Sequence, residues 1–325
     1  MTLDISCALA TSLDSPEHAR IAESLGYRRA WFYDSPALYP DVWMQLALAA
    51  ERTERIGLGP GVLIPSLRHP MATASAIGTL VDAAGPGRVA VGVGSGFTGR
   101  FTLGQRPLRW ADVEAWVRCV RGLLAGDTVQ WEGAAMRMLH PDGFAPTRPI
   151  DVPFLMGAAG PKGRAVAEAL GAGLFHAGSH PVPGVAWQAM LTFGTVLDDD
   201  EDVTSPRVMD AAGHGAAVAY HFAAENGLGV EALPDGEAWL AAYADVPEDE
   251  RHLAIHDLHL VGVNERDRPF ITPAFIAAMG GAFRPAELRD RLAALEAAGA
   301  TEIAYQPAGP DIARELDAFI TAAHG

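Results

Sequence analysis

The chain has 325 residues, 49% of them hydrophobic, which is enough to bury a core without disulfide or metal support. Forty Asp and Glu against 24 Lys and Arg give a formal charge of −16, which repels phosphate backbones and anionic lipid and excludes nucleic acid as an expected partner. Cys7 and Cys119 make neither a disulfide framework nor a zinc spacing, and with no signal-peptide pattern and no apolar run of about 18 to 20 residues the expectation is a cytoplasmic protein that enters no membrane.

Short apolar runs alternate with stretches of 3.6-residue periodicity, the pattern of βα units around a parallel sheet. A first strand is read over residues 3–8, then a helix opened by Ser15-Pro16 and stopped at Gly26. Ser supplies a cap, Pro a preset first turn and Gly a left-handed exit. The second strand and helix are read over 29–33 and 42–52, the third over 56–63 and 71–83. A fourth strand over 89–93 leads through a Gly-rich turn to a helix over 110–124, whose Val113, Trp116, Val117, Val120 and Leu124 share one face and read as core.

Residues 128–139, with Gly133 near their middle, read as a hairpin ahead of a fifth strand over 153–156. A helix over 161–170 and a strand over 173–176 follow. The irregular helical stretch 181–257 reads as an insertion lying over a barrel mouth, and 258–263 as strand seven. A helix over 285–298, a strand over 302–305 and a helix over 311–323 complete eight units. The expected fold is a single domain, residues 1–325, forming an α/β (β/α)8 TIM barrel with inserted helices over its mouth. An open doubly wound sheet is the alternative, and it lacks a glycine fingerprint after the first strand.

Barrels of this kind bind ligands at the carboxyl ends of their strands. Two loops there are rich in small residues: Gly92-Val93-Gly94-Ser95-Gly96, and Gly157-Ala158-Ala159-Gly160-Pro161-Lys162-Gly163. Such loops let backbone N–H groups approach a phosphate, and the second opens into a helix whose N-terminus favours an anion. One glycine-rich loop is equally well explained by a tight turn; two at the same mouth point to a phosphorylated ligand. His256 and His259, three apart, do not make a metal pair on a strand, and on a helix no third ligand is apparent, so no metal is expected. His259 near the end of strand seven and His176 at the end of strand six are candidates for donating a hydrogen bond or moving a proton. Trp31 and Tyr33 read as barrel packing, and Arg68 as an anchor for its loop.

Asp34, the run Gly61-Val62-Leu63-Ile64-Pro65 leading to Arg68-His69-Pro70, Gly87-Arg88-Val89 through Gly94-Ser95-Gly96, and Gly157-Ala158-Ala159-Gly160-Pro161 together resemble the luciferase-like monooxygenase superfamily. The pattern is most similar to its branch using the deazaflavin coenzyme F420, which holds methylenetetrahydromethanopterin reductases and sugar-phosphate dehydrogenases. The resemblance implies a non-prolyl cis peptide at Gly61-Val62, forming a bulge behind the cofactor ring. It implies that Gly94, Ser95 and Gly96, with Gly157, Ala158, Ala159, Gly160, Pro161 and Lys162, hold the cofactor's side chain and phosphate, and that Asp34 and Ser35 lie near the ring. Ser35 and Phe97 stand where several relatives carry a His and an acidic residue, which sets this chain apart from sugar-phosphate dehydrogenation. The expected activity is hydride exchange between F420 and a small organic substrate, with Ser35, His176 and His259 as candidates for polarising the substrate or shuttling a proton. The alternatives are a monooxygenase using reduced FMN and dioxygen, and a cofactor-binding protein without catalysis. The resemblance also implies a homodimer.

Overall fold

The computed structural model describes residues 3–325. In chain order β1 (Asp4–Leu9), α1 (Ser15–Ser24), β2 (Arg29–Phe32), α2 (Val42–Arg52), β3 (Gly57–Pro60), α3 (Pro70–Ala84) and β4 (Val91–Gly94) alternate as the periodicity predicts; a short helix α4 (Phe97–Phe101), where the sequence reading had only a Gly-rich turn, then precedes the expected α5 (Trp110–Ala125). β5 (Val129–Trp131) and β6 (Ala134–Met136) pair antiparallel as the expected hairpin. β7 (Phe154–Gly157), α6 (Pro161–Ala169), β8 (Gly173–Ala177), β9 (Gln188–Thr192) and β10 (Thr195–Val196) follow. A helical block of α7 (Pro206–Asn226), α8 (Gly236–Ala242), α9 (Arg251–Ile255) and α10 (Pro273–Ala278) comes next, then β11 (Ala282–Phe283), α11 (Pro285–Ala297), β12 (Glu302–Tyr305) and α12 (Ile312–His324).

Eight strands form one parallel sheet in the order β3-β2-β1-β12-β9-β8-β7-β4, and bridges from Leu58 to Val89 and from Leu63 to Val93 join its two edges into a barrel. The strands alternate inward and outward. Ala8, Trp31, Ala90, Leu155, Phe175, Ala189 and Ala304 fill the interior, while Cys7, Leu58, Val91, Met156, Leu174, Met190 and Ile303 join the larger core beneath the helices. Four of the interior residues are alanine because Trp31 takes the space: its indole meets Phe175 edge-on at 5.3 Å and donates to Glu302 Oε1 at 2.8 Å. Gly59 is required where the barrel closes, since a Cβ there would stand 1.9 Å from the carbonyl oxygen of Ala90.

Element ends shift by one to three residues from the sequence reading, as where the third strand stops at Pro60, and two differences bear on the architecture. Asp14, not Ser15, precedes α1; Ser15 is buried and its Oγ accepts from Ser12 N at 2.8 Å, closing the loop after β1. Gly26 exits α1 at φ +90° as expected. Strand seven is misplaced in that reading: residues 258–263 form a turn, and the seventh barrel strand is β9, inside the stretch taken as insertion. The segment 258–263 alternates like a strand, but Leu258 and Leu260 adopt φ of 56° and 65°, which no strand accommodates. The helical block therefore lies between β10 and β11, with its own core around Tyr220, Trp239, Tyr243, Val263 and Ile276.

The crossover from β8 to β9 carries no helix, and the flank it leaves holds a cavity of about 1250 Å³ lined by Leu124, Phe154, Ala167, Leu174, Val185 and Trp187. Phe154 and Leu174 point away from the barrel interior, so this cavity is separate from the mouth.

Candidate active site at the barrel mouth

The peptide between Gly61 and Val62, just past β3, is cis. It turns the half-buried Val62 side chain across the mouth, and three glycines make room for it. A Cβ would stand 3.0 Å from Val62 on Gly92, 2.8 Å on Gly94 and 3.4 Å on Gly157. Beneath it, a Cβ on Gly61 would meet Trp31 at 3.0 Å and Phe175 at 3.3 Å, so the bulge rests on the aromatic plug of the barrel. Part of the glycine content of both loops thus serves this packing, a purpose that the residue pattern alone does not disclose.

Asp34 follows β2 and is 9% exposed. Among the described residues its carboxylate accepts one long hydrogen bond, 3.4 Å from Ile64 N, just beyond the bulge. Burial pushes its pKa up to about 6 against the opposing pull of that hydrogen bond and of Arg68, with Asp41 adding to the rise. Arg68 itself pairs with Asp41, which caps α2 by accepting from Trp43 N and Met44 N, so this arginine anchors the loop as expected. Ser35 is buried under α4, its Oγ 3.1 Å from where a Cβ on Gly99 would stand.

Gly96 enters α4 at φ +88°, and a Cβ there would lie 2.7 Å from Ile64 and Arg100; the carbonyl of half-buried Ser95 accepts from Leu108 N at 2.8 Å. At the other loop, Ala158 is buried while Ala159, Gly160, Pro161 and Lys162 are exposed. Among the described residues no side chain caps α6 at Gly160, and nothing beyond its chain neighbours lies within 4 Å of where its Cβ would be. Uncapped first-turn N–H groups, open space and a lysine form an anion-accepting end on a nine-residue helix.

The histidines are placed differently from the sequence expectation. His176 is 1% exposed, with Nδ1 2.8 Å from Ser179 Oγ and Nε2 3.1 Å from Gln188 Oε1, so neither nitrogen is open to a substrate. It points outward from β8 because the interior position is taken by Phe175. His259 belongs to the turn described above; its Nε2 is 3.3 Å from Thr98 Oγ1 and its Nδ1 2.8 Å from His221 Nδ1. Its backbone carbonyl accepts from Tyr39 OH at 2.9 Å, and that of Leu260 from Gln306 Nε2 at 2.5 Å, while Gln306 Oε1 accepts from Tyr33 OH at 2.9 Å. The turn is therefore tied to the loops after β2, β4 and β12 and closes part of the mouth.

His214 on α7 was not singled out by its sequence context. It is 1% exposed, neither ring nitrogen has a partner among the described residues, and its ring meets Phe193, just past β9, at 5.8 Å. Burial lowers its pKa to about 4, so it is neutral and offers one donor and one acceptor. A buried polar group left unpaired in this way is costly unless a further molecule meets it.

The model of the luciferase-like monooxygenase family matches residues 13–302. The chain belongs to that family. Among similar proteins, the 5,10-methylenetetrahydromethanopterin reductase of Archaeoglobus fulgidus is 32% identical over 169 residues, covering 50% of this chain and 49% of its own. The F420-dependent glucose-6-phosphate dehydrogenase of Beutenbergia cavernae is 35% identical over 150 residues, 43% of this chain and 41% of its own. The chain thus matches about half the length of these relatives. In three dimensions this family member superposes on the coenzyme F420-dependent tetrahydromethanopterin reductase of Methanopyrus kandleri with a TM-score of 0.67 at 21% identity, covering 99% of both chains. A type II Baeyer-Villiger monooxygenase of Pseudomonas putida in complex with FMN gives 0.59 at 12% identity over 99% and 98%. These superpositions establish the luciferase-like barrel.

Proposed function

We propose that this chain binds coenzyme F420 at the barrel mouth and uses it to exchange a hydride with a small organic substrate. The observation that carries the reading is the Val62 bulge seated among Gly92, Gly94 and Gly157, a shaped wall at the mouth with Asp34 beside it. The F420-dependent glucose-6-phosphate dehydrogenase of Beutenbergia cavernae, matched over 41% of its length, supports the choice of cofactor. Bound there, F420 supplies two-electron hydride chemistry.

The chain's own residues bind, orient and manage protons. The open N-terminus of α6 at Gly160 to Lys162, with the Gly94 to Gly96 turn, receives the anionic part of the cofactor. Trp31 and Phe175 seal the barrel below the bulge and exclude water from that side. Asp34, with its pKa near 6, holds or releases a proton close to neutral pH, and Ser35 stands next to it. Ser35 and Phe97 argue against sugar phosphates as that substrate.

Turnover is tested by mixing the protein with reduced F420 and a panel of small carbonyl, imine and activated-alkene compounds, and following the return of the oxidised cofactor's absorbance. The proposal expects substrate-dependent oxidation without oxygen. Turnover only with reduced FMN and dioxygen would assign a monooxygenase, and tight binding without turnover on the whole panel would leave a cofactor-binding protein.

Met44 and Leu48, one turn apart on α2, are 68% and 46% exposed, and this apolar face supports a homodimer. Light scattering coupled to gel filtration should read twice the chain mass; a monomer at micromolar concentration would contradict it. Cys7 and Cys119 are buried free thiols, which suits a reducing cytoplasm, and among the described residues no helix is long and apolar enough to cross a membrane.

A further inference from the structure

Three imidazoles meet in the helical block above the mouth. α7 contributes His221, the end of α9 His256 and the following turn His259, all only 2–3% exposed. Their Nδ1 atoms converge: that of His259 lies 2.8 Å from His221 and 3.3 Å from His256. The outward nitrogens face carboxylates, His221 Nε2 at 2.7 Å from Asp267 Oδ2 and His256 Nε2 at 3.2 Å from Glu225 Oε1.

Asp267 also accepts from Trp239 Nε1 at 2.7 Å, Tyr243 OH at 2.8 Å and Asn264 Nδ2 at 2.9 Å, so it is built as an acceptor and His221 Nε2 must bring the proton. An imidazole that donates from Nε2 keeps a lone pair on Nδ1. His221 and His256 therefore aim two lone pairs at one spot. If His259 donates from Nε2 to Thr98, three lone pairs converge there with no proton between them. In its other tautomer, one N–H serves two lone pairs. In that state the 2.8 Å contact to His221 is a hydrogen bond and the lone pair of His256, at 3.3 Å, is the weaker served.

We propose that His221, His256 and His259 form a metal site that takes one divalent transition ion of the zinc class through their Nδ1 atoms. Neutral imidazole is the ligating form. Tetrahedral zinc with bonds of about 2.0–2.1 Å sets nitrogens about 3.3–3.4 Å apart; the His256–His259 spacing of 3.3 Å already meets this. The His221–His259 pair, at 2.8 Å, needs to open by about half an ångström. Carboxylates on the far nitrogens of two rings are the usual outer support for histidine ligands. Three protein nitrogens leave a fourth position for water. The ion would pin the left-handed turn at Leu258 and Leu260, whose neighbouring carbonyls hold Tyr39 and Gln306 at the mouth.

The sequence excluded a metal because the third ligand was not apparent beside His256 and His259; His221 arrives from α7, far earlier in the chain. The site does not depend on which cofactor the barrel binds. The test uses tag-free protein, stripped with chelator, with no F420 present. It is titrated with Zn(II) under equilibrium dialysis and metal analysis, and with Co(II) under visible spectroscopy. The expected result is one ion per chain, intense d–d bands of four-coordinate Co(II), a higher unfolding temperature, loss of binding in His256→Gln, and affinity about 10- to 100-fold weaker in Glu225→Gln. Circular dichroism checks that both variants are folded. Folded wild-type protein that takes up neither ion, or uptake unchanged in both variants, overturns the site.

Discussion

Asp34 shows how one residue's surroundings set its chemistry. The unfolded chain ionises this carboxyl near pH 4, whereas in the barrel burial moves it up to about 6. Between those values the folded state holds the extra proton. Its contribution is therefore full below about pH 4 and is lost as pH rises through about 6. The shift of about two units corresponds to a cost on the order of 3 kcal/mol for the charged form. Asp34→Asn keeps the shape and the acceptor for Ile64 N, so it should unfold at higher denaturant than the wild type at pH 8, with the gap closing by about pH 4. Chemical denaturation across that range checks it, and a gap independent of pH would remove the proton-holding role. Asp34 was legible from its place after the second strand, and the Gly61–Val62 cis bond from the resemblance. The service of Gly92, Gly94 and Gly157 to one valine was not, because contacts across three strands leave no local pattern.

Most elements declared themselves through their own periodicity and ends. α2, bounded at Val42 and Arg52, and α5, with its buried Val113, Trp116, Val117 and Val120, match their sequence reading closely. β9 did not declare itself: its sequence, Gln-Ala-Met-Leu-Thr, lacks the β-branched density of a buried parallel strand, and its Gln188 is retained to bond His176, Val182 and Gly299. The turn that mimicked strand seven carries apolar residues in alternation because they serve different partners. Leu260 packs toward the barrel interior and Val263 into the helical block. At α6 the open N-terminus yields a direct prediction. Gly160→Asp has free space for its side chain at φ −90°, so stability should change by less than about 0.5 kcal/mol. Its carboxylate would cap the helix and repel an anionic ligand. F420 affinity should therefore fall at least about tenfold in a variant with unchanged thermal unfolding; unchanged affinity would place the anionic group elsewhere.

As a whole, the molecule is a closed barrel whose mouth is shaped from below by Trp31, Phe175 and the Val62 bulge, and from above by a helical block tied down at Tyr39, Thr98 and Gln306. The repeat of strand and helix made the barrel legible, since each unit needs a neighbour to cover its apolar face. How the block meets the mouth was not legible, because it depends on contacts between residues far apart in the chain, such as Phe97 with Phe222 at 5.2 Å. Structures that share this fold hold FMN as well as F420, so cofactor preference is the central question. The most direct measurement is a fluorescence titration of cofactor-free protein with F420, FMN and NADP in parallel. The account predicts saturable F420 binding at least about tenfold tighter than FMN, with none for NADP; tight FMN binding with no detectable F420 binding would contradict it.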